Sequence, residues 1–330
     1  MYKLFLILLL LSNSTRSQSV KQLTEGANTS LRGLSVVDRN TIWVSGSNGA
    51  VGRSLDGGKS FKWMTVKNFE KTEFRDIEAF DKVTAVIMGI ASPAHILRTA
   101  DGGETWQVVF RDTASAMFLD AMEFWNEKSG IVIGDPRGGR FYIARTFDGG
   151  RTWQPLPFDK RPSADSGEAC FASSGTNIRK LSKSEAAFVS GGGASHLFIR
   201  DKKIKIPFLN LKESVGANSL AVKNKSYMVV VGGDFYMKDD STNNCFYTTD
   251  GGLTWKIPLA PPSGYRSCVE YVRKSIWVTC GLNGVDITTD NGQTWRSLSS
   301  TGYHVVRKAK HGNAVFFAGP KGRVGKLIMN

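Results

Sequence analysis

Five aspartates recur in one eight-residue motif, Ser/Thr-x-Asp-x-Gly-x-Thr/Ser followed by Trp or Phe. Carboxylates can act as acids or as metal ligands when several converge on one site. These aspartates stand 40 to 47 residues apart, except for one gap of 102, so each lies in a repeat of its own. The five are Asp56, Asp101, Asp148, Asp250 and Asp290. Their spacing argues against shared catalysis, and no metal site is predicted.

The motif has the chemistry of a tight turn instead. An Asp side chain accepts hydrogen bonds from backbone N–H groups a few residues on. Glycine supplies the positive φ angles that a short hairpin requires. The closing aromatic side chain begins the next strand and is expected to pack between neighbouring sheets. The tryptophans in this position are Trp106, Trp153, Trp255 and Trp295.

A second repeat gives the number of units. Seven apolar runs end in glycine, and each run follows one short strand and precedes another that leads into the motif. Each unit is therefore predicted to be a four-stranded blade. The runs end at Gly46, Gly89, Gly134, Gly191, Gly232, Gly281 and Gly319. The gap of 102 contains a decayed motif around Asp201.

The units predict an all-β fold, a seven-bladed β-propeller of four-stranded antiparallel blades. The seventh unit stops at residues 326–330 without a fourth strand, and an unpaired strand candidate lies at residues 20–24. Pairing the two would remove the exposed sheet edges. We therefore expect the N-terminal strand to close the ring. Six blades plus an irregular unit is the alternative.

The first residues have the pattern of a signal peptide. Lys3 precedes an apolar run over residues 4–11, which is too short to span a bilayer, and the small residues Ser17 and Ser19 favour cleavage near Val20. The alternative is a buried N-terminal helix. We expect a secreted or periplasmic protein, with residues 1–19 removed and residues 20–330 forming a single, monomeric domain without a transmembrane segment.

The net charge indicates which classes of partner to expect, and the cysteines indicate which disulfide bonds are possible. The formal net charge of +14 favours an acidic protein or peptide, a glycan or a membrane surface, unless it serves solubility alone. No nucleic-acid motif is present, and nucleic acid is not an expected partner. The four cysteines lack CxxC spacing. They could form two disulfide bonds in three possible connectivities, or they could remain buried free thiols. Cys268 and Cys280 flank a predicted hairpin and could face each other.

The motifs and blades resemble the Asp-box superfamily, which includes sialidases, xyloglucan-active glycosidases and sortilin-type receptors. The chain is most similar to bacterial exported relatives of the photosystem II stability/assembly-factor propellers. That resemblance rests on residues 134–141, 166–178, 231–235 and 264–267, and it is more specific for fold than for activity. It implies a non-enzymatic chaperone or scaffold that grips a partner peptide through basic residues. Some relatives are labelled oxidoreductases, but residues 191–194 lack the spacing of a dinucleotide site, and no cofactor is expected.

By analogy with propellers, the starts of the innermost strands should form a polar ring at one mouth of the central channel. Loops on the same face add further polar groups. The predicted ring consists of Arg32, Arg75, Asp120, Glu168 (from an innermost strand beginning at residues 167–169), Asn218, Arg266 and His304. The loop residues are Asp135, Arg137, Arg140, His196, Asp234 and Tyr236. The simpler interpretation is that these groups are solvated or paired with one another.

Two functions fit such a ring. In a binding protein, the arginines would hold a carboxylate or another anion by bidentate hydrogen bonds. In a glycosidase, Glu168 with Asp120 or Asp234 would act as acid and base across a sugar. A sialidase-like site would use Arg32, Arg75 and Arg266 with a tyrosine, but its Arg-Ile-Pro signature is absent. Binding is the favoured prediction.

Overall fold

The computed structural model describes residues 18–91, 93–209 and 212–329, so the predicted signal peptide lies outside the described residues apart from Gln18 and Ser19. The described chain begins with strand β1 (Gln18–Thr24) and is almost entirely β-structure. Two short 3-10 helices, Phe158–Lys160 and Pro320–Gly322, are the exceptions. Within these ranges, no helix is long and apolar enough to cross a membrane.

Blades 1 to 3 follow the predicted pattern of four antiparallel strands. Each innermost strand comes first in the chain, and the sheet is built outwards from it. Blade 1 contains β2 to β5 (Leu31–Val36, Ile42–Gly46, Ala50–Ser54, Lys62–Thr65), blade 2 contains β6 to β9 (Phe74–Ala79, Ala85–Gly89, Ala94–Thr99, Gln107–Asp112), and blade 3 contains β10 to β13 (Leu119–Phe124, Gly130–Arg137, Arg140–Thr146, Gln154–Pro155).

Blades 4 and 5 are less regular than the others. Blade 4 contains β15, β16, β18 and β19 (Ile178–Lys180, Ala186–Val189, His196–Ile199, Lys202–Lys205). The two-residue strands β14 (Glu168–Ala169) and β17 (Gly191–Gly192) extend the sheet of blade 5 instead, through the pair Gly191 and Gly216. Blade 5 contains β20 to β22 (Val215–Val222, Met228–Asp234, Cys245–Thr248). Its fourth strand is reduced to a bridge between Tyr247 and Lys256.

The remaining strands close the ring. Blade 6 contains β23 to β26 (Cys268–Arg273, Ile276–Gly281, Gly284–Thr288, Arg296–Ser299), and blade 7 contains β27 to β29 (Val305–Lys308, Val315–Ala318, Val324–Met329). β1 pairs antiparallel with β29, so that Val20 lies opposite Leu327. The predicted seven-bladed propeller closed by its N-terminal strand is confirmed, and the six-bladed alternative is wrong.

The hydrophobic core is divided among the interfaces between neighbouring blades. For example, Val86 and Met88 of blade 2 pack with Leu119 and Met122 of blade 3. The aromatic residue that closes each motif packs into the interface with the preceding blade, as Trp153 does in this cluster, where it is 8% exposed. Blade 4 has no such residue, because a turn at Arg200 and Asp201 joins its last two strands directly.

The motif aspartates form the predicted turn hydrogen bonds. Asp148 accepts bonds from the Thr152 backbone N–H at 3.0 Å and from the Thr146 and Thr152 hydroxyls at 2.9 and 2.7 Å. Such bonds favour the charged carboxylate and lower its pKa, to about 2 for Asp101, with the Thr105 hydroxyl as the main cause. These aspartates are therefore fully engaged in holding turns.

The innermost strands are linked by bonds from one blade to the next. The Met122 N–H donates to Asp76 Oδ2 at 2.8 Å, and the Val269 N–H donates to Ser219 Oγ at 3.0 Å. The Val306 N–H donates to Cys268 Sγ at 3.3 Å. Because neighbouring sheets share no ladder, such contacts set the register of the strands that carry the channel.

Removing the closing strand should destabilise the whole ring. A chain that begins at Glu25 lacks the hydrogen bonds between β1 and β29, which at ~1 kcal/mol each amount to about 3 kcal/mol or more. The Tm should fall by roughly 6–12 °C relative to a chain that begins at Gln18, measured by thermal unfolding. Equal Tm values for the two truncations would show that β1 does not hold the ring closed.

Candidate functional site

Four of the seven predicted ring residues occupy β-bulges at the starts of innermost strands. Arg32 lies in the register shift between Leu31 and Gly33, and Arg75 lies in that between Phe74 and Asp76. Asp120 and Asn218 occupy equivalent shifts in β10 and β20. A bulge adds an unpaired residue and redirects its side chain, so this local geometry turns these residues out of the sheet surface.

Blade 6 differs from the sequence prediction by one residue. Cys268 pairs with Cys280, so the residue equivalent to Arg32 is Ser267. Arg266 is 1% exposed, and its guanidinium donates to Asp286 Oδ2 at 2.6 Å and to Asn283 Oδ1 at 2.5 Å. The predicted place of Arg266 in the ring is therefore wrong, because a buried ion pair holds its side chain within the blade.

Blade 4 contradicts the prediction more strongly. Its innermost strand is Ile178–Lys180, whereas Glu168 and Ala169, predicted to begin that strand, pair with Gly192 and Gly191. The intervening residues 170–177 run into the central channel. We call them the plug segment.

Hydrogen bonds with four other blades place the plug segment inside the ring. Its Ser173 carbonyl accepts a bond from Arg32 Nη1 of blade 1 at 3.0 Å, and its Gly175 carbonyl accepts one from Arg307 Nη2 of blade 7 at 3.0 Å. The Ser174 hydroxyl donates to the Ser267 carbonyl of blade 6 at 2.7 Å, and the Thr176 hydroxyl lies 2.6 Å from Ser219 Oγ of blade 5. The plug segment therefore closes the channel by polar contacts.

Gly175 shows how closely the plug segment fits. A Cβ atom at this position would lie 2.3 Å from Asp76 Cγ of blade 2, and its φ of +62° lies in the left-handed region. Only glycine combines that backbone conformation with so close an approach.

A cavity of about 590 Å³ lies over the plug segment at the mouth where the innermost strands begin. We call it the upper cavity. Arg32 and Arg75 line it from blades 1 and 2, and several aromatic side chains from other parts of the ring line it as well. Its lining includes Asp135, Phe171, Glu213, Phe235, Tyr236, Tyr265 and His304. Tyr236 is 80% exposed and extends the aromatic wall towards solvent.

Positive charge is concentrated on the arginine side of the upper cavity. Burial and the neighbouring Arg75 charge lower the pKa of Arg32, and Glu73 is the ion-pair partner of Arg75 at 2.5 Å. Burial together with the charges of Arg32 and Arg75 lowers the pKa of His304 to about 3, so its imidazole is neutral at physiological pH. This environment favours an anion over a cation.

Burial raises the pKa of two carboxyl groups near the upper cavity, those of Asp120 and Asp135. Asp120 is fully buried, and within the described part of the chain neither of its oxygens has a hydrogen-bond partner. Burial and the Asp135 charge raise the pKa of Asp120 well above its usual range. Asp135 lines the cavity and accepts a bond from the Cys170 N–H at 3.0 Å, while burial raises its pKa to about 6.

Glu168 belongs to a separate ion cluster at the base of the plug segment. It accepts bonds from His196 Nδ1 at 2.9 Å, from Lys203 Nζ at 3.0 Å and from the Ser190 hydroxyl. Although burial opposes the charge, these donors hold the pKa of Glu168 at about 2. Asp165, Glu168 and His196 have donor atoms within 4.8 Å of one another, but the Lys203 ammonium bridges the two carboxylates and supplies the cation.

The other predicted residues are distributed over the same face. The Asp234 carboxylate accepts a bond from the Tyr236 N–H at 3.0 Å, and Asn218 Oδ1 accepts one from the Tyr265 hydroxyl at 2.8 Å. Arg137 pairs with Asp112 at 3.4 Å, and Arg140 donates to the Arg161 carbonyl at 2.6 Å. Four of the predicted residues therefore lie outside the lining of the upper cavity: Asp234, Asn218, Arg137 and Arg140.

The sequence interpretation missed a second ring of charges at the opposite mouth. It contains Glu78, Glu123, Glu270 and Arg307, together with Arg179 of blade 4. Glu78 and Glu123 each follow a bulge residue by three positions, and Glu270 and Arg307 follow Ser267 and His304 by the same spacing. Arg179 lies between two of them, 3.7 Å from Glu123 and 3.2 Å from Glu270. The cavity there measures about 730 Å³. Aligning the repeats at the bulge would have revealed this ring.

The second ring of charges, which we call the lower ring, predicts that the stability of the protein depends on pH. Burial raises the pKa values of Glu123 and Glu270 to about 7, above those of unfolded glutamates. Their contribution to stability is therefore complete below about pH 4.5 and is lost as the pH rises through 7. The Tm should fall by several degrees between pH 5.5 and 8 in the native chain, and less in Glu123→Gln/Glu270→Gln. The control Glu127→Gln, at an exposed position, should show the same fall of Tm with pH as the native chain. If the double variant shows that fall too, Glu123 and Glu270 are not its cause.

Comparisons with known proteins agree with this fold. A BNR/Asp-box repeat model matches residues 246–256. No curated protein matches the chain. Among solved structures, YCF48 bound to a D1 peptide is similar with a TM-score of 0.69 and 17% identity, covering 96% of each chain.

Two further structures have similar folds. YCF48 from Cyanidioschyzon merolae gives a TM-score of 0.60 at 14% identity, covering 93% of this chain and 98% of that one. The WD40 β-propeller domain of Doa1 gives 0.64 at 13% identity, covering 96% and 98%. The resemblance inferred from the motifs is thus confirmed: the chain carries BNR/Asp-box repeats in a seven-bladed propeller with the fold of YCF48.

Proposed function

We propose that this chain is a non-enzymatic binding protein that captures a segment of a partner protein in the upper cavity. One observation carries the proposal: arginines and aromatic side chains line the same cavity, which the plug segment closes. A closed floor makes the upper cavity a pocket with one opening. The bound segment would therefore enter and leave from the same face.

The chemistry of the walls specifies the segment. Arg32 and Arg75 can pair with a carboxylate, and guanidinium groups form bidentate hydrogen bonds with that anion. Phe171, Phe235 and Tyr236 offer apolar surface for a neighbouring side chain. An acidic residue beside an apolar one matches both walls. The similar fold of YCF48 bound to a D1 peptide supports a peptide as the occupant.

The same geometry gives less support to glycoside hydrolysis. Asp120, Glu168 and Asp234, the three carboxylates considered as acid and base, do not line the upper cavity. A general acid needs a raised pKa, whereas that of Glu168 is lowered to about 2 by its hydrogen-bond donors. Asp120 has a raised pKa but is fully buried.

We further propose that the protein acts outside the cytoplasm, after removal of its first 19 residues. This rests on the signal-peptide pattern of the sequence. Cleavage after Ser19 would leave Val20–Thr24 to pair with β29, which is enough of β1 to keep most of its register.

Binding should depend on the arginine wall. A fluorescein-labelled peptide carrying Asp and Glu beside Phe and Leu should bind the native chain, and its Lys-substituted counterpart should not. Arg75→Ala should weaken binding about tenfold or more, because a hydrogen bond between charged groups contributes ~1.5–3 kcal/mol. Tyr236→Ala should weaken it through lost apolar contact. Fluorescence anisotropy measures both effects.

The matched control is Arg273→Ala, which removes an exposed arginine at the end of β23 on the opposite face. It should leave binding unchanged. Equal affinity of Arg75→Ala and the native chain would overturn the proposed role of the upper cavity. So would equal binding of the acidic and basic peptides.

A further inference from the structure

Two cysteines of blade 6 lie directly opposite each other on adjacent strands. Cys268 of β23 is the register partner of Cys280 of β24, and both are fully buried. Directly opposed residues in an antiparallel pair have Cα atoms ~4.5–5.5 Å apart and side chains on the same face. Disulfide-bonded cysteines span ~4.4–6.8 Å between Cα atoms. The backbone therefore already meets the requirement for a bridge.

The Cys268 sulfur has hydrogen-bond partners outside its own blade. It accepts bonds from the Val306 N–H at 3.3 Å and from the Thr176 hydroxyl at 3.5 Å. These contacts form only when blade 7 and the plug segment pack against blade 6, so they hold the Cys268 sulfur in place in the finished fold.

The other two cysteines lie in different interfaces. Cys170 packs among residues of blades 3 and 4, and Cys245 packs between blades 5 and 6 with Trp295 and Val269. Cys268 and Cys280 share the cluster that joins blades 6, 7 and 1. All four cysteines are buried. The fold therefore favours one of the possible pairings and opposes the others.

We propose that Cys268 and Cys280 form a cross-strand disulfide when the chain folds in the presence of a small-molecule disulfide oxidant. The thiolate of one cysteine attacks the oxidant and forms a mixed disulfide, releasing one thiol. The thiolate of the other cysteine then attacks the protein sulfur of that mixed disulfide and releases the second thiol. The two cysteines lose two electrons and two protons, and the oxidant is reduced to two thiols. Because both sulfurs are buried in the finished fold, the reaction takes place before blade 6 is fully packed.

The test uses oxidised glutathione as the oxidant. The full chain from Gln18 is unfolded, refolded with a mixture of oxidised and reduced glutathione, and alkylated under denaturing conditions. Mass spectrometry should show two labelled thiols, at Cys170 and Cys245, and a linked peptide pair containing Cys268 and Cys280. The oxidised form should have a Tm about 5 °C above that of the same protein treated with dithiothreitol, because the bridge restricts the unfolded chain.

Matched variants separate this bridge from other thiol chemistry. Cys280→Ser should abolish the linked peptides and the effect of dithiothreitol on Tm, whereas Cys245→Ser should retain both. Four labelled thiols in the oxidised native chain would overturn the proposal, as would a bridge that includes Cys170 or Cys245. The peptide map of the native chain decides the matter even if Cys280→Ser fails to fold.

Discussion

The pairing of the first strand with the last is the constraint on which the rest of the structure depends. Each blade buries its apolar faces only against its two neighbours, so the core is continuous only when blade 7 also contacts blade 1. β1 supplies the missing outer strand of blade 7, and Val20 and Leu23 pack against the cluster that joins blades 6, 7 and 1. The closed ring then fixes the positions of all seven innermost strands.

The closed ring creates a channel, and the plug segment divides it. Arg32 and Arg307 hold the carbonyls of Ser173 and Gly175 from neighbouring blades, so the same positive side chains that shape the two mouths also retain the plug segment. The result is two separate cavities with different electrostatics. Arginines and aromatic side chains line the upper one, whereas partly buried glutamates paired with Arg179 lie at the lower one. The difference makes the upper cavity the better anion site.

Repetition made the fold predictable. The motif aspartates and closing aromatic residues recur because the same turn and the same interface between blades recur around the ring. Asp148 accepts the expected turn hydrogen bond, and Trp153 packs between blades 2 and 3 as expected. The unpaired strand at the N-terminus was likewise predictable, since an incomplete last blade requires a partner. Local pattern and global architecture agree at these positions.

The site was less predictable, because it depends on where the repeats depart from one another. Sequence spacing found the bulge residues Arg32 and Arg75, but in blade 6 it selected Arg266 in place of Ser267. In blade 4, the short strand at Glu168 resembled an innermost strand, and nothing local indicated that the following residues enter the channel. Burial of Asp120 is a tertiary effect of that same segment and its neighbours. The surroundings of a single side chain, unlike a repeat, depend on tertiary contacts that the sequence pattern does not reveal.

The central claim is that the upper cavity receives a partner segment through its arginine wall. A crystal structure of the protein with a bound acidic peptide tests this most directly. We expect a peptide carboxylate within hydrogen-bonding distance of Arg75 and an apolar peptide side chain against Tyr236, with the plug segment in place. A peptide bound at the lower mouth or along the outer strands, with the upper cavity unoccupied, would contradict the claim.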